Sequence, residues 1–273
     1  MSAIDDVFMR CAREERAAFI PFLMAGDPNL DLTGAFLDAA AAGGADIIEL
    51  GVPFSDPIAD GPTNQRATVR ALQAGTKLSG ILELVARRRD RLGVPIVLFT
   101  YFNPLHARGV ERFAEQAAAS GVDGVLCVDL PPEEGGRALV PALRAQGVDA
   151  IFLLSPTSTK ERIDRVARAS SGFIYYVSRT GVTGERTALP PDLAKDVKRL
   201  GKRADLPIAV GFGISTPAQV AAVGEAADGV VVGSALVRHL EENAGHPDLP
   251  ALLEDRVREL SAPLRQKAER RRA

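Results

Sequence analysis

The sequence predicts a closed, parallel, eight-stranded α/β barrel of the (β/α)8 kind, and three observations point there. Short, nearly continuous apolar runs alternate with amphipathic helical patterns, which argues for a parallel sheet buried on both faces. A lead-in of small residue, Asp and apolar strand recurs at Ala45-Asp46-Ile47, Gly121-Val122-Asp123-Gly124, Gly147-Val148-Asp149-Ala150 and Ala226-Ala227-Asp228-Gly229. The last two apolar runs end in glycine and serine. An open doubly wound sheet shares the alternation, and these polar ends favour closure.

Taken in order, a helix over about Ile4 to Glu15 precedes the first run, Phe19 to Met24, which a turn at Ala25-Gly26-Asp27-Pro28-Asn29 ends. An alanine-rich helix from about Asp31 to Ala42 stops at Gly43-Gly44, a helix C-cap, and leads into a strand around Ile47 to Leu50. The Asp123–Asp149 interval suggests a βα unit of about 26 residues, with unmarked copies and loop insertions elsewhere. Two unmarked strands, Val94 to Phe99 and Leu206 to Val210, carry a proline at the start, where it is tolerated. With Gly172 to Val177 the strands number eight. Helical patterns fall near Asn64 to Arg91, Gly109 to Ser120, Glu133 to Gln146, Thr159 to Ser170, Pro191 to Arg203 and Pro217 to Glu225, with more helix after Ser234. Asp46, Asp123, Asp149 and Asp228 stand at strand entrances and read as structural turn residues.

A chain of 273 residues suits one large α/β domain, 1–273. A net charge of -2 offers no nucleic-acid footprint, and the basic stretch Arg265 to Arg272 reads as a solvated helix end. Neither a signal peptide nor a membrane-length apolar run is evident, so a cytoplasmic location is expected. Cys11 and Cys127 have neither metal-ligand spacing nor reason to pair.

The stretch Ile48-Glu49-Leu50-Gly51-Val52-Pro53-Phe54-Ser55-Asp56-Pro57-Ile58-Ala59-Asp60-Gly61 holds the strongest chemical signal. Alternation puts Glu49 on one face with Ile47 and Gly51, in an apolar strand, where an acid requires either a buried partner or a functional cavity. A stiff loop with Ser55, Asp56 and Asp60 follows, the place where barrel enzymes keep their chemistry. Glu49 should be tuned upward in pKa and Asp60 should be more exposed, so that two acids in unlike surroundings divide proton tasks. The seventh strand ends in Gly211-Phe212-Gly213-Ile214-Ser215 and the eighth in Gly233-Ser234, where backbone N–H groups and a helix N-terminus suit a phosphate. Ser178-Arg179-Thr180-Gly181-Val182-Thr183-Gly184-Glu185 has the character of either a closing lid or a plain surface loop.

Absences narrow the chemistry. The six lysines avoid strand ends, leaving a Schiff base without a candidate. His106, His239 and His246 are isolated, so no metal site is expected, and Walker and dinucleotide motifs are missing. Carboxylate acid-base catalysis on a phosphorylated substrate remains.

The run Ile48 to Gly61 resembles the signature of the tryptophan synthase alpha chain family. Agreement extends through Phe22 to Pro28, Tyr101-Phe102-Asn103-Pro104, Val128-Asp129-Leu130-Pro131, Ser178 to Gly184, Gly211 to Ser215 and Gly233-Ser234-Ala235. The resemblance implies a TIM barrel that cleaves indole-3-glycerol phosphate by retro-aldol reaction into indole and glyceraldehyde 3-phosphate. It implies Glu49 as the principal acid-base residue and Asp60 as the group that stabilises the indole N–H. Phe22, Tyr101 and Tyr175 would line the pocket, Thr183 would contact Asp60, and Gly184, Phe212, Gly213, Gly233 and Ser234 would hold the phosphate. No cofactor is implied in this chain; pyridoxal phosphate belongs to an expected beta subunit, joined in an αββα heterotetramer and contacted through Asp56, Pro57 and Asn103. Two departures stand out: Arg108, where an aromatic residue is common, and Asn64, where an apolar one is usual, neither expected to touch the carboxylates.

Competing readings keep the same residues. Indole-glycerol-phosphate synthase would need a strand-end lysine. A stand-alone lyase releasing free indole, or a subunit that mainly activates its partner, would differ in turnover alone and with the partner.

Overall fold

A computed structural model of the chain describes residues 1–177, 191–211 and 213–272, with side chains to 266. Nine strand segments run parallel: β1 (Ala18–Met24), β2 (Ile48–Gly51), β3 (Ile96–Thr100), β4 (Gly124–Cys127), β5 (Asp149–Ile151), β6 (Leu153–Leu154), β7 (Ile174–Val177), β8 (Ile208–Gly211) and β9 (Gly229–Val232). Their order is β5-β4-β3-β2-β1-β9-β8-β7-β6. β5 and β6 are one stave interrupted at Phe152: its first half pairs with β4 and its second with β7. The chain itself therefore closes the ring, and the expected eight-stave barrel is present, its seventh and eighth strands being β8 and β9.

The apolar residues divide by strand parity, as alternation requires. One set, including Ile48, Leu50, Ile96, Leu98, Val125, Ile174 and Val230, packs outward against the surrounding helices. The other, including Ile20, Ile47, Val97, Leu126, Ile151, Tyr175, Ala209 and Val231, fills the interior. The first helix, Ala3–Arg13, closes the N-terminal end of the barrel: Ile4, Val7, Phe8 and Cys11 join the interior cluster, and the Phe8 ring lies 5.6 Å from that of Phe173. Ser2 caps this helix in a reciprocal box with Asp5. With one end plugged, a ligand reaches the interior from the C-terminal ends of the strands.

The acids at the strand entrances act as latches. Asp46 accepts the Phe19 N–H at 2.9 Å, Asp123 the Ile96 N–H at 2.8 Å, and Asp228 the Ile208 N–H at 2.8 Å, each tying its lead-in to the start of the neighbouring strand. Burial alone would raise the Asp46 carboxyl, but Arg16, with guanidinium nitrogens at 2.7 and 2.8 Å, holds it below its ordinary value. Asp149 departs from the pattern. It lies within β5 in register with Gly124, and burial pushes its carboxyl up.

Several helices differ from the periodicity. The stretch near Asn64 to Arg91 is two helices, Pro62–Gln73 and Leu78–Leu92, separated at Gly75, whose φ of 77° ends the first. Glu133 to Gln146 likewise divides into Pro132–Gly135 and Leu139–Ala145. An unforeseen helix, Phe102–Arg108, follows β3 directly, its first N–H held by Asp129 at 2.7 Å. After β9 come the short helix Ser234–Glu242 and the long Leu249–Arg272, which packs chiefly against Leu30–Gly43. The basic stretch thus lies in a helix.

Candidate active site

Glu49 stands on β2 in register with Phe22 and Val97, one interior layer above Ile47. It is 0% exposed, and among the described residues neither carboxyl oxygen has a hydrogen-bond partner. The alternative of a buried structural Glu paired with an Arg is therefore excluded among the described residues. Burial pushes its pKa up to about 8. The Tyr175 phenol, on β7 across the interior, is raised by burial and by the Glu49 charge.

Glycine makes room for the rings beside Glu49. A Cβ on Gly51 would stand 2.7 Å from Phe22 Cζ, and one on Gly211 2.1 Å from the Tyr175 hydroxyl oxygen. Phe22 also packs edge-on against Phe99, with centroids 5.3 Å apart, and runs past Gly233. The sequence did not single out Phe99. Its signal was its place two residues beyond Val97, on the same inward face.

Asp60 is 4% exposed against 0% for Glu49, and Tyr101 and the first turn of helix Pro62–Gln73 cover it. The Tyr101 hydroxyl donates to Asp60 Oδ2 at 3.0 Å and accepts the Ala59 N–H at 3.1 Å, while Gln65 Nε2 donates to the Asp60 carbonyl at 2.8 Å. Burial raises the Asp60 carboxyl, against the Tyr101 hydroxyl and the Asn64 amide, which lower it. Asn64 is buried one turn beyond Asp60 on that helix. The Phe54 ring packs on Tyr101 at 5.2 Å and fixes the loop from the other side.

On the opposite rim, β8 and β9 lie side by side, bringing Gly213 and Gly233-Ser234 to one edge of the opening. Gly213 has a φ of 79°, and Ser234 opens a nine-residue helix whose first-turn N–H groups supply partial positive charge. Thr183, Gly184 and Phe212 lie outside the described residues. Asp56 and Asn103 are exposed and Pro57 half-exposed, on two segments that the Ala59–Tyr101 hydrogen bond holds together. Arg108, at the end of helix Phe102–Arg108, donates to Gln116.

Among the described residues, no cluster of three or more His, Cys, Asp or Glu could hold a metal, and no helix is long and apolar enough to cross a membrane. Cys11 and Cys127 are buried free thiols.

A parallel α/β barrel plugged at one end, with two buried acids and an anion-suited glycine rim at the other, defines a class: barrel proteins whose site lies at the C-terminal strand ends. A family model described as tryptophan synthase alpha chain matches residues 8–266. The alpha chain of Geotalea daltonii is 52% identical over 245 residues, 90% of this chain and 92% of that one. That of Acidiphilium cryptum is 50% identical over 271 residues, 97% and 98% of the two. Among solved structures, tryptophan synthase from Mycobacterium tuberculosis superposes with a TM-score of 0.89 at 39% identity, covering 97% of this chain and 99% of that one. The alpha subunit from Legionella pneumophila gives 0.90 at 34%, with the same coverage. The chain belongs to the tryptophan synthase alpha chain family.

Proposed function

We propose that this chain cleaves indole-3-glycerol phosphate by a retro-aldol reaction into indole and glyceraldehyde 3-phosphate, with Glu49 as the acid-base residue. The observation that carries the reading is the Glu49 carboxyl, fully buried in the barrel interior with both oxygens unpartnered among the described residues. Such a group is costly to hold, and a pKa pushed to about 8 suits it to exchange protons near neutral pH.

The reaction needs an electron sink, and the substrate's own ring supplies it. Protonation at indole C3 makes the ring electron-poor. Glu49 then takes the proton from the hydroxyl on the adjoining side-chain carbon. That C–O becomes the aldehyde C=O, the bond to C3 breaks, and its electron pair restores the aromatic ring. Asp60, anchored by Tyr101, would stabilise the positive charge that develops on the ring N–H. Phe22, Tyr101 and Tyr175 would hold the indole and glycerol portions. Gly213, Gly233 and Ser234, with Gly184 and Phe212, would bind the phosphate, and Thr183 would contact Asp60.

The partner proposed is a tryptophan synthase beta subunit, docked on the face carrying Asp56, Pro57 and Asn103 in an αββα assembly. That subunit would condense the released indole with serine on its pyridoxal phosphate.

The test is release of glyceraldehyde 3-phosphate by the purified chain, alone and with its beta subunit, beside Glu49→Gln. Weak activity alone, stimulation by the partner and loss in the variant are expected. Fast turnover without a partner favours an indole-releasing lyase. No turnover with the cognate partner overturns the chemistry and leaves an activating subunit.

A further inference from the structure

The loop that follows β8 at the proposed phosphate rim is gathered by one side chain. Gln219, on the helix Pro217–Gly224, is 8% exposed, and its Oε1 accepts the Ser215 N–H at 2.8 Å, the Thr216 N–H at 3.1 Å and the Ser215 hydroxyl at 3.3 Å. Arg256, from the long helix Leu249–Arg272, donates to the Ser215 carbonyl at 2.8 Å. All three polar groups of Ser215 are thus engaged, two residues after Gly213 turns at a φ of 79°.

Helix capping accounts for only part of this arrangement. Thr216 and Gln219 form a capping box, which asks of the Gln219 side chain no more than the Thr216 N–H. The same oxygen reaches one residue further back, to a segment outside the helix. A glutamate would accept the same bonds more strongly, since charge-assisted hydrogen bonds are the stronger kind. The neutral amide forgoes that strength and places no negative charge beside a loop suited to an anion.

We propose that Gln219 is a positioning residue for the phosphate group of the substrate: it fixes Ser215 and Thr216, and with them the approach of Gly213 to the anion, without adding charge. The inference rests on the phosphate site proposed above and deepens it.

The experiment measures binding of glycerol 3-phosphate and of indole to the full chain by calorimetry, beside turnover of indole-3-glycerol phosphate with the beta subunit. In Gln219→Met, which loses the acceptor, the Kd for glycerol 3-phosphate should rise roughly tenfold, the scale of one to two lost hydrogen bonds. Indole affinity should stay unchanged, and KM should rise more than kcat falls. In Gln219→Glu, which keeps the acceptor, the thermal midpoint should stay level or rise while the Kd for glycerol 3-phosphate still increases, and the gap from the unaltered chain should narrow with added salt. Gln219→Glu carries the test alone if Gln219→Met does not fold. Unchanged glycerol 3-phosphate affinity in a folded variant, an equal loss of indole affinity, or an unaltered chain that binds no glycerol 3-phosphate overturns the inference. If the affinities respond as expected while the unaltered chain with its beta subunit cleaves no substrate, the proposed chemistry falls and the role of Gln219 stands.

Discussion

The Tyr101 hydroxyl bridges the Ala59 N–H and Asp60 Oδ2, at 3.1 and 3.0 Å, so one side chain from the end of β3 fixes both the backbone and the acid of the loop after β2. Its proton is committed to Asp60 because its oxygen already accepts from Ala59. Tyr101→Phe keeps the ring against Phe54 but leaves a buried carboxylate oxygen and an amide unpaired. A hydrogen bond to a charged group contributes about 1.5–3 kcal/mol, so kcat/KM for cleavage should fall by roughly ten- to a hundredfold. Steady-state kinetics across pH check this, and an unchanged profile refutes it.

Glu49 should make the fold less stable as pH rises. Its proton is held in the folded chain until about pH 8, whereas the unfolded chain releases it near the ordinary value of 4.5. Between those points the unfolded state binds fewer protons, so the folded state loses relative stability with increasing pH, by on the order of a few kcal/mol. Glu49→Gln should abolish that slope together with activity. Urea denaturation near each end of the window, for both chains, gives the comparison; parallel pH dependences would contradict the account.

Arg16 and Asp46 form a buried pair, with side chains 5% and 2% exposed. Arg16→Met would leave Asp46 to the Phe19 N–H and to the more exposed Arg10 at 3.1 Å, and breaking most of a buried pair costs up to about 3–5 kcal/mol. The urea midpoint should drop with little change in slope, while activity at low temperature survives. A midpoint within error of the unaltered chain would show the pair to be dispensable.

Arg70 joins Asp27, in the turn after β1, to Glu241, at the end of the helix that Ser234 opens, with contacts of 2.7 and 2.6 Å. Arg70→Met should cost about 1–3 kcal/mol, less than a fully buried pair because Arg70 is partly solvated. The helix it helps to tether, with Arg66 also on Glu241 at 2.6 Å, carries the proposed phosphate site, so KM should rise more than kcat falls. An equal loss in both, or none, would place the network outside binding.

Much of the fold was legible because buried parallel strands leave unbroken apolar runs, and the Asp lead-ins marked half of the staves. Helix divisions were not. Gly75 is one residue in a long amphipathic stretch, and only its positive φ in the folded chain reveals the break. Helix Phe102–Arg108 hid because its start depends on Asp129, distant in sequence. In the site, Glu49 was conspicuous as an acid in an apolar strand. Asp60 looked exposed because its loop is polar, and its cover comes from Tyr101. Asn64 showed only as a departure from an apolar position; its burial one turn beyond Asp60 is a property of the folded helix.

The barrel thus uses acids in two ways at its two ends. At the plugged end, Asp46, Asp123 and Asp228 are tied to backbone amides of neighbouring strands; at the open end, Glu49 is tied to none of the described residues. In a random mutagenesis screen the two sets would fail by different symptoms. Lesions in the latches would surface as low protein yield that cooler growth restores, whereas a lesion at Glu49 would yield abundant protein and a growth defect that temperature does not relieve.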